Sequence, residues 1–143
     1  LKSEQPIGLG LTATTVQRLA DARIGQGKFR DDLIYSFNGA CAVTGLSVAP
    51  LLRASHIKAW TVSNNQERLD PENGVLLAAG VDAAFDRGYI GFDSGGALLS
   101  KSTFGPKDRA SLGIPVSHFA LNPVFLTQRR REYFALHLLK FGF

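Results

Sequence analysis

The sequence is short of several things, and each shortage closes off a class of protein. It holds a single cysteine, Cys41, in 143 residues, which excludes an internal disulfide and any zinc centre built from thiolates. A lone thiol fits a reducing compartment, and a cytoplasmic protein is the expectation. No run of about 18 apolar residues occurs, so no helical membrane span is expected, and no signal-peptide pattern is read at its start. Methionine is absent and the chain opens on Leu1, which leads us to expect a piece cut from a longer protein. Histidine is scarce too: His56, His118 and His137 are the only imidazoles.

What is present is ordinary for a globular protein, with 45% apolar and 20% charged residues. The length argues for one domain, which would bury roughly 70% of the surface of its unfolded chain. Sixteen Lys and Arg stand against twelve Asp and Glu, a net charge of +4, and ten of the cations are Arg. The planar guanidinium suits phosphate recognition, although so modest a charge is equally compatible with a plain surface.

The pattern along the chain predicts a mixed α+β fold. Residues 1–13 read as an irregular lead-in with Pro6, Gly8 and Gly10. A helix follows from Thr14 to about Arg23, capped by Thr14 or Thr15, with Val16, Leu19, Ala20 and Ile24 on one face. Gly25 and Gly27 are expected to break it. A second helix, Lys28 to Phe37, carries Phe29, Leu33 and Phe37 as a buried stripe. Cys41–Thr44 and Leu51–Ile57 read as an antiparallel hairpin, and 58–72 as a long surface loop. An apolar run from Gly74 leads into a short helix at about Ala79–Asp86, with Asp82 and Asp86 as i, i+4 neighbours and Gly88 as its stop. Tyr89–Phe92 and Ala97–Ser100 form a second hairpin. A Gly- and Pro-punctuated linker then leads to a final helix, Gln128–Lys140, capped by Thr127 and striped by Phe134, Leu138 and Phe141.

Among the histidines, His137 sits beside apolar residues in a helix and reads as structural, and His118 in the linker is uninformative. His56 ends a strand. Asn73 follows it by 17 positions and Asp82 follows Asn73 by nine. A strand-end imidazole can take a proton from an attacking water, an amide can fix the backbone presenting it, and a helix carboxylate can hold a hard cation that neutralises charge on a phosphate. Each residue also has a plainer reading: Asn73 as a turn residue, Asp82 as a solvated one, Asp86 as structural, Cys41 as a small buried side chain. Arg129-Arg130-Arg131 at a helix start opposes the helix dipole and hints at an anionic partner.

The ordered set Cys41-Ala42-Val43-Thr44-Gly45, Leu51 to Ile57 with Ser55-His56, Asp70-Pro71-Glu72-Asn73-Gly74 and Asp82 to Ile90 resembles the HNH endonuclease family, and with Gly25 to Arg30 it looks most like the branch found at the C-terminal end of restriction-type proteins. The resemblance covers roughly residues 23–100. It implies a ββα-metal core at about 38–100 within a single 1–143 domain, flanked by helices and an extra β-hairpin. His56 takes the general-base position and Asn73 the scaffold position. Asp82 takes the third position, a metal ligand, where His or Asn is usual, and Ser55 stands where the wider superfamily often has a ligand. Asp86, water or the DNA phosphate would complete the shell. The resemblance implies a divalent metal, Mg2+ foremost and Mn2+ as an alternative, with no organic cofactor. It implies double-stranded DNA as partner, with Arg30, Arg53, Lys58 and Arg87 as candidate phosphate contacts, and a recognition domain outside this chain. Two other readings stay open: a catalytically weak DNA-binding module, and an RNA-directed nuclease.

Overall fold

A computed structural model describes residues 12–143. The lead-in with Pro6, Gly8 and Gly10 lies outside the described residues up to position 11. The chain forms α1 (Ala13–Ser36), β1 (Leu52–His56), α2 (Asn65–Leu69), β2 (Gly74–Ala78), α3 (Ala79–Asp86), β3 (Ile90–Phe92), β4 (Leu98–Ser100), α4 (Pro106–Ser111) and α5 (Gln128–Phe141). Antiparallel pairs β1–β2 and β3–β4 make two small sheets among the helices, an α+β fold as expected. No described helix is long and apolar enough to cross a membrane.

The two helices expected at the start are one. α1 runs unbroken through Gly25 and Gly27, and Thr12, not Thr14 or Thr15, caps it by accepting from Thr15 N at 3.0 Å. The Gly25 site explains itself by packing: a Cβ there would lie 2.7 Å from Leu69 Cδ2 of α2. The helix gives up propensity at this glycine and gains a close crossing. The face expected to be buried is open, with Leu19 54% and Ile24 71% exposed, whereas Phe29, Leu33 and Phe37 enter the core as the stripe predicts.

The central hairpin differs from the expected one in its partner. β1 pairs with β2, in a register setting Leu52 opposite Ala78 and His56 opposite Gly74. Cys41–Thr44 is a turn whose Ala42 N donates to Leu76 O. Val75, Leu76 and Leu77 are all fully buried, so β2 lacks the two-residue alternation that marks a strand with one wet face. α3 spans the predicted residues and buries Val81, Ala84 and Phe85.

The expected loop at 58–72 is built of short ordered turns. Asn64 and Glu67 form a reciprocal capping box at the start of α2. The stretch read as a linker holds α4, with Pro106 in its first turn. In α5 the buried face is Arg130, Phe134 and His137, so the expected stripe is rotated; Leu138 and Phe141 are half-buried.

Candidate active site

His56 is the last residue of β1. Its ring lies flat on Phe29 of α1, centroids 4.0 Å apart and planes 2° from parallel. Nε2 sits 2.9 Å from the Arg68 carbonyl oxygen at the end of α2. A carbonyl only accepts, so Nε2 carries the proton and the lone pair of the neutral ring is on Nδ1. Burial pushes the pKa below the ordinary 6.5; the bond to the Arg68 carbonyl opposes this and the Arg68 charge adds to it. A neutral imidazole with an oriented basic nitrogen is what proton abstraction from water requires. A cavity of about 490 Å³ opens on the ring, with Arg23, Gln26, Arg30, Ala54 and Trp60 in its walls.

Asn73 is completely buried. Its Oδ1 accepts from Lys58 N at 2.8 Å, and its Nδ2 donates to Glu67 O at 3.1 Å and, more weakly, to Lys58 O at 3.4 Å. Its backbone carbonyl accepts from Ile57 N at 3.0 Å. The residue therefore ties the segment leaving His56 to the segment bearing Arg68, the two ends of the loop around the imidazole. Lys58 is engaged in the same loop, its Nζ reaching both Glu67 carboxylate oxygens at 2.8 and 2.9 Å. Arg30 donates to the Leu52 and Ala49 carbonyls while lining the cavity. Arg53 and Arg87 are exposed.

Side chains alternate along a strand, so Arg53 and Ser55 face away from Ala54 and His56. They face α3. The buried Ser55 hydroxyl lies close enough to the Asp82 carboxylate to favour its charged form. Burial, first, and the like charge of Asp86 hold the Asp82 carboxyl above the ordinary carboxylate range; the Ser55 bond and Arg53 pull it down. Among the described residues no three or more His, Cys, Asp or Glu side chains converge in a metal-holding group. A desolvated carboxylate with a second carboxylate one turn away and a hydroxyl beside it is nevertheless a hard-oxygen set with excess negative charge. It fits a divalent cation that keeps several waters, as Mg2+ does.

Residues 41–93 match the family described as HNH endonuclease. Over that span, a little over a third of the chain, the sequence is similar to HNH endonucleases. The span starts in the Cys41 turn, contains β1, β2 and α3, and ends just past β3, so it holds His56, Asn73 and Asp82 together. HNH proteins are nucleases that act on nucleic acid and generally use a divalent metal. No curated protein matches the sequence.

Several residues that shape the surroundings of His56 carry no sign of it in the sequence. Phe29 reads only as part of a core stripe. The Arg68 contact is made by a backbone carbonyl, which any residue could supply. Arg130 is 3% exposed and donates at 2.9 Å to three carbonyls, those of Pro71, Gly74 and Phe125. Gly74 is the partner of His56 across the sheet, so α5 pins the strand facing the imidazole. Arg129 grips Asp70 with two bonds of 2.9 and 3.0 Å. The cationic helix start that hinted at an anionic partner is in these two positions an internal clamp. His137 is structural: buried, stacked on Phe85 at 4.0 Å and bonded to the Phe85 carbonyl.

Proposed function

We propose that this protein is a divalent-metal-dependent DNA endonuclease, part of a restriction-type protein, with His56 as its general base. The observation that carries the reading is the His56 ring: neutral, clamped between Phe29 and the Arg68 carbonyl, with its lone pair on Nδ1. Nδ1 takes a proton as a water oxygen bonds to phosphorus and the bond from phosphorus to the 3′ oxygen breaks. Asn73 keeps the two ends of the loop at fixed separation, so the base does not have to be ordered during the reaction. Asp82 and Ser55, with Asp86 completing the set, would hold the cation, which when bound supplies charge neutralisation at the phosphate and the leaving oxygen. The proposed base and cation ligands lie on opposite faces of β1, and in this reading the reacting phosphate would bridge them across the strand's edge. Arg30 and Arg53 flank that edge, with Lys58 and Arg87 further out as candidate phosphate contacts.

Plasmid nicking in Mg2+ or Mn2+ tests this. His56→Ala should lower the rate by at least about 100-fold, the contribution typical of a positioned base, while DNA binding is largely kept. Equal loss of binding and cleavage in a folded variant would overturn the assignment. The second reading, a DNA-binding module with little catalysis, has one observation in its favour: a serine at the ligand position beside the base and no three-residue acidic or imidazole cluster among the described residues. Calorimetric titration of Mg2+ and Mn2+ into wild type and Asp82→Ala separates the two. Binding heat lost in the variant supports the enzyme; no heat and no nicking with either metal supports the module. RNA in the same assay decides between substrates.

A further inference from the structure

The His56 cavity does not stop at His56. A second cavity, of about 650 Å³, runs along α1 toward its N-terminal end and shares Gln26 and Trp60 with the first as walls. Together they make one trough between α1 and the Trp60–Leu69 segment. We propose that this trough is a subsite for an unpaired nucleotide strand, so that the DNA cut at His56 is unpaired for several nucleotides on one side of the cleaved bond. The inference rests on the nuclease reading above and specifies its substrate.

Three features of the walls point to a nucleic-acid strand. The first is charge: Arg18, Arg23, Arg30 and Arg68 line the trough against one acidic residue, Asp21, among the described residues. Arg23 and Arg30 stand on one face of α1 with Gln26 between them, and Arg18 lies further round the helix in the wall of the second cavity, so each cavity carries its own cations. The second is an aromatic surface. Trp60 is 39% exposed at the junction of the two cavities, and the Arg68 guanidinium lies 3.9 Å over its ring. An indole backed by a guanidinium is a platform on which a base can stack, and a base can use it only when it has left the duplex stack. The third is length. From Thr15 to Arg30 the helix rises about 22 Å at ~1.5 Å per residue, room for several nucleotides of an unpaired strand. Cationic tracking together with a stacking platform is how proteins hold single strands without reading sequence.

Trp60 is the only tryptophan of the chain, so intrinsic fluorescence reports from inside the trough in the unaltered protein. Oligo-dT of two to twelve nucleotides, titrated in EDTA so that no cleavage occurs, should quench Trp60 saturably. Affinity should rise with length and level off once the strand spans the trough. Arg23→Ala and Arg18→Ala, both on the exposed face of α1, should each weaken binding and lower the slope of log affinity against log salt by about 0.7, one phosphate's worth for a single strand. Trp60→Ala, followed by anisotropy of labelled dT, should lose at least about fivefold. A blunt duplex of equal length should quench little, and in the presence of metal a duplex with a six-nucleotide single-stranded arm should be cut faster than the blunt one. Binding of dT without quenching, quenching by blunt duplex at equal affinity, or equal quenching by polyglutamate would each overturn the proposal. The two readings fail separately: cleavage without Trp60 quenching leaves the nuclease and removes the trough, whereas quenching without cleavage of any nucleic acid leaves a strand-binding trough and removes the nuclease.

Discussion

Removing the Asn73 amide by Asn73→Ala should uncouple the two ends of the His56 loop. The lost contacts are the bonds to Lys58 N at 2.8 Å, Glu67 O at 3.1 Å and Lys58 O at 3.4 Å. The first two have good lengths and the third is at the limit. Net hydrogen bonds are worth about 1 kcal/mol each, and orphaned buried partners raise the cost. Lys58 and Glu67 are only part-buried, so water can reach their backbone groups, and a destabilisation of about 2–3 kcal/mol follows. That is a substantial fraction of the ~5–15 kcal/mol typical of a domain, yet it leaves a folded population in which the loop is free to move. Cleavage should then fall by about 100-fold, the cost of misplacing a catalytic group by about 1 Å. Asn73→Asp keeps the acceptor for Lys58 N but sets a carboxylate oxygen against the Glu67 carbonyl, so it should be as damaging at pH 7 and partly recover when acid protonates it. The assays are urea denaturation, amide exchange at Lys58 and nicking rate. A loss below about 0.5 kcal/mol with unchanged cleavage would refute the tie, as would full activity of Asn73→Asp at neutral pH.

Other expectations follow from the same geometry. Burial holds both His56 and His137 below 6.5; between the folded and unfolded values the unfolded chain binds more protons, so stability is fully present above 6.5 and is lost as pH falls below it. Urea midpoints should therefore drop from pH 7.5 to 5, and the acid limb of the cleavage profile should lie below 6.5; a midpoint that rises on acidification would contradict this. Asp82→Asn removes a half-buried charge beside Asp86 and should raise the melting temperature at pH 7 while abolishing calorimetric metal binding; a variant that binds metal as wild type does would place the cation elsewhere. Phe29→Leu leaves an apolar side chain in a buried site but empties part of it, at a cost of about 1–2 kcal/mol and several degrees of melting temperature, and it removes the flat partner of the imidazole, so kcat should fall in protein that is still fully folded at the assay temperature; wild-type kcat would show that the stack does not position the base.

The parts of this structure that could be read in advance are those whose cause is local. α3 announces itself because Val81, Ala84 and Phe85 recur at helical spacing and Gly88 stops the helix. β3 and β4 are legible because a five-residue turn joins them and the Asp93 carboxylate caps it, accepting from Gly95 N and Ala97 N. β2 has no such signature: buried on both faces, it offers no alternation, and its partner lies across a loop of 17 residues between His56 and Gly74. The nearer segment at Cys41–Thr44 competes for β1 on sequence alone. The break expected at Gly25 fails for a related reason, since the contact that keeps the helix running there is with Leu69, 44 positions on. His56, Asn73 and Asp82 are the positions that the resemblance singles out, and the structure gives each a distinct environment. Phe29, Arg130 and the Arg68 carbonyl were not, because a stacking partner, a buried cation and a backbone oxygen leave no local pattern.

That division bears on where the working unit ends. The segment 41–93 contains His56, Asn73 and Asp82, and its internal bonds suffice to draw the loop closed around the imidazole. Two of the contacts that hold the imidazole and its partner strand come from outside it. Phe29 supplies the flat surface under the ring, and α1 meets β2 so closely that a Cβ on Gly74 would lie 2.6 Å from both Phe29 and Leu33. Arg130 reaches in from α5 to the Gly74 and Pro71 carbonyls. Glycine at 74 is thus the point where the leading helix, the trailing helix and the strand facing His56 converge. The segment 41–93 cut out alone keeps its donors and loses the packing that aims them. Within this chain α1 and α5 therefore shape the surroundings of His56 and Gly74.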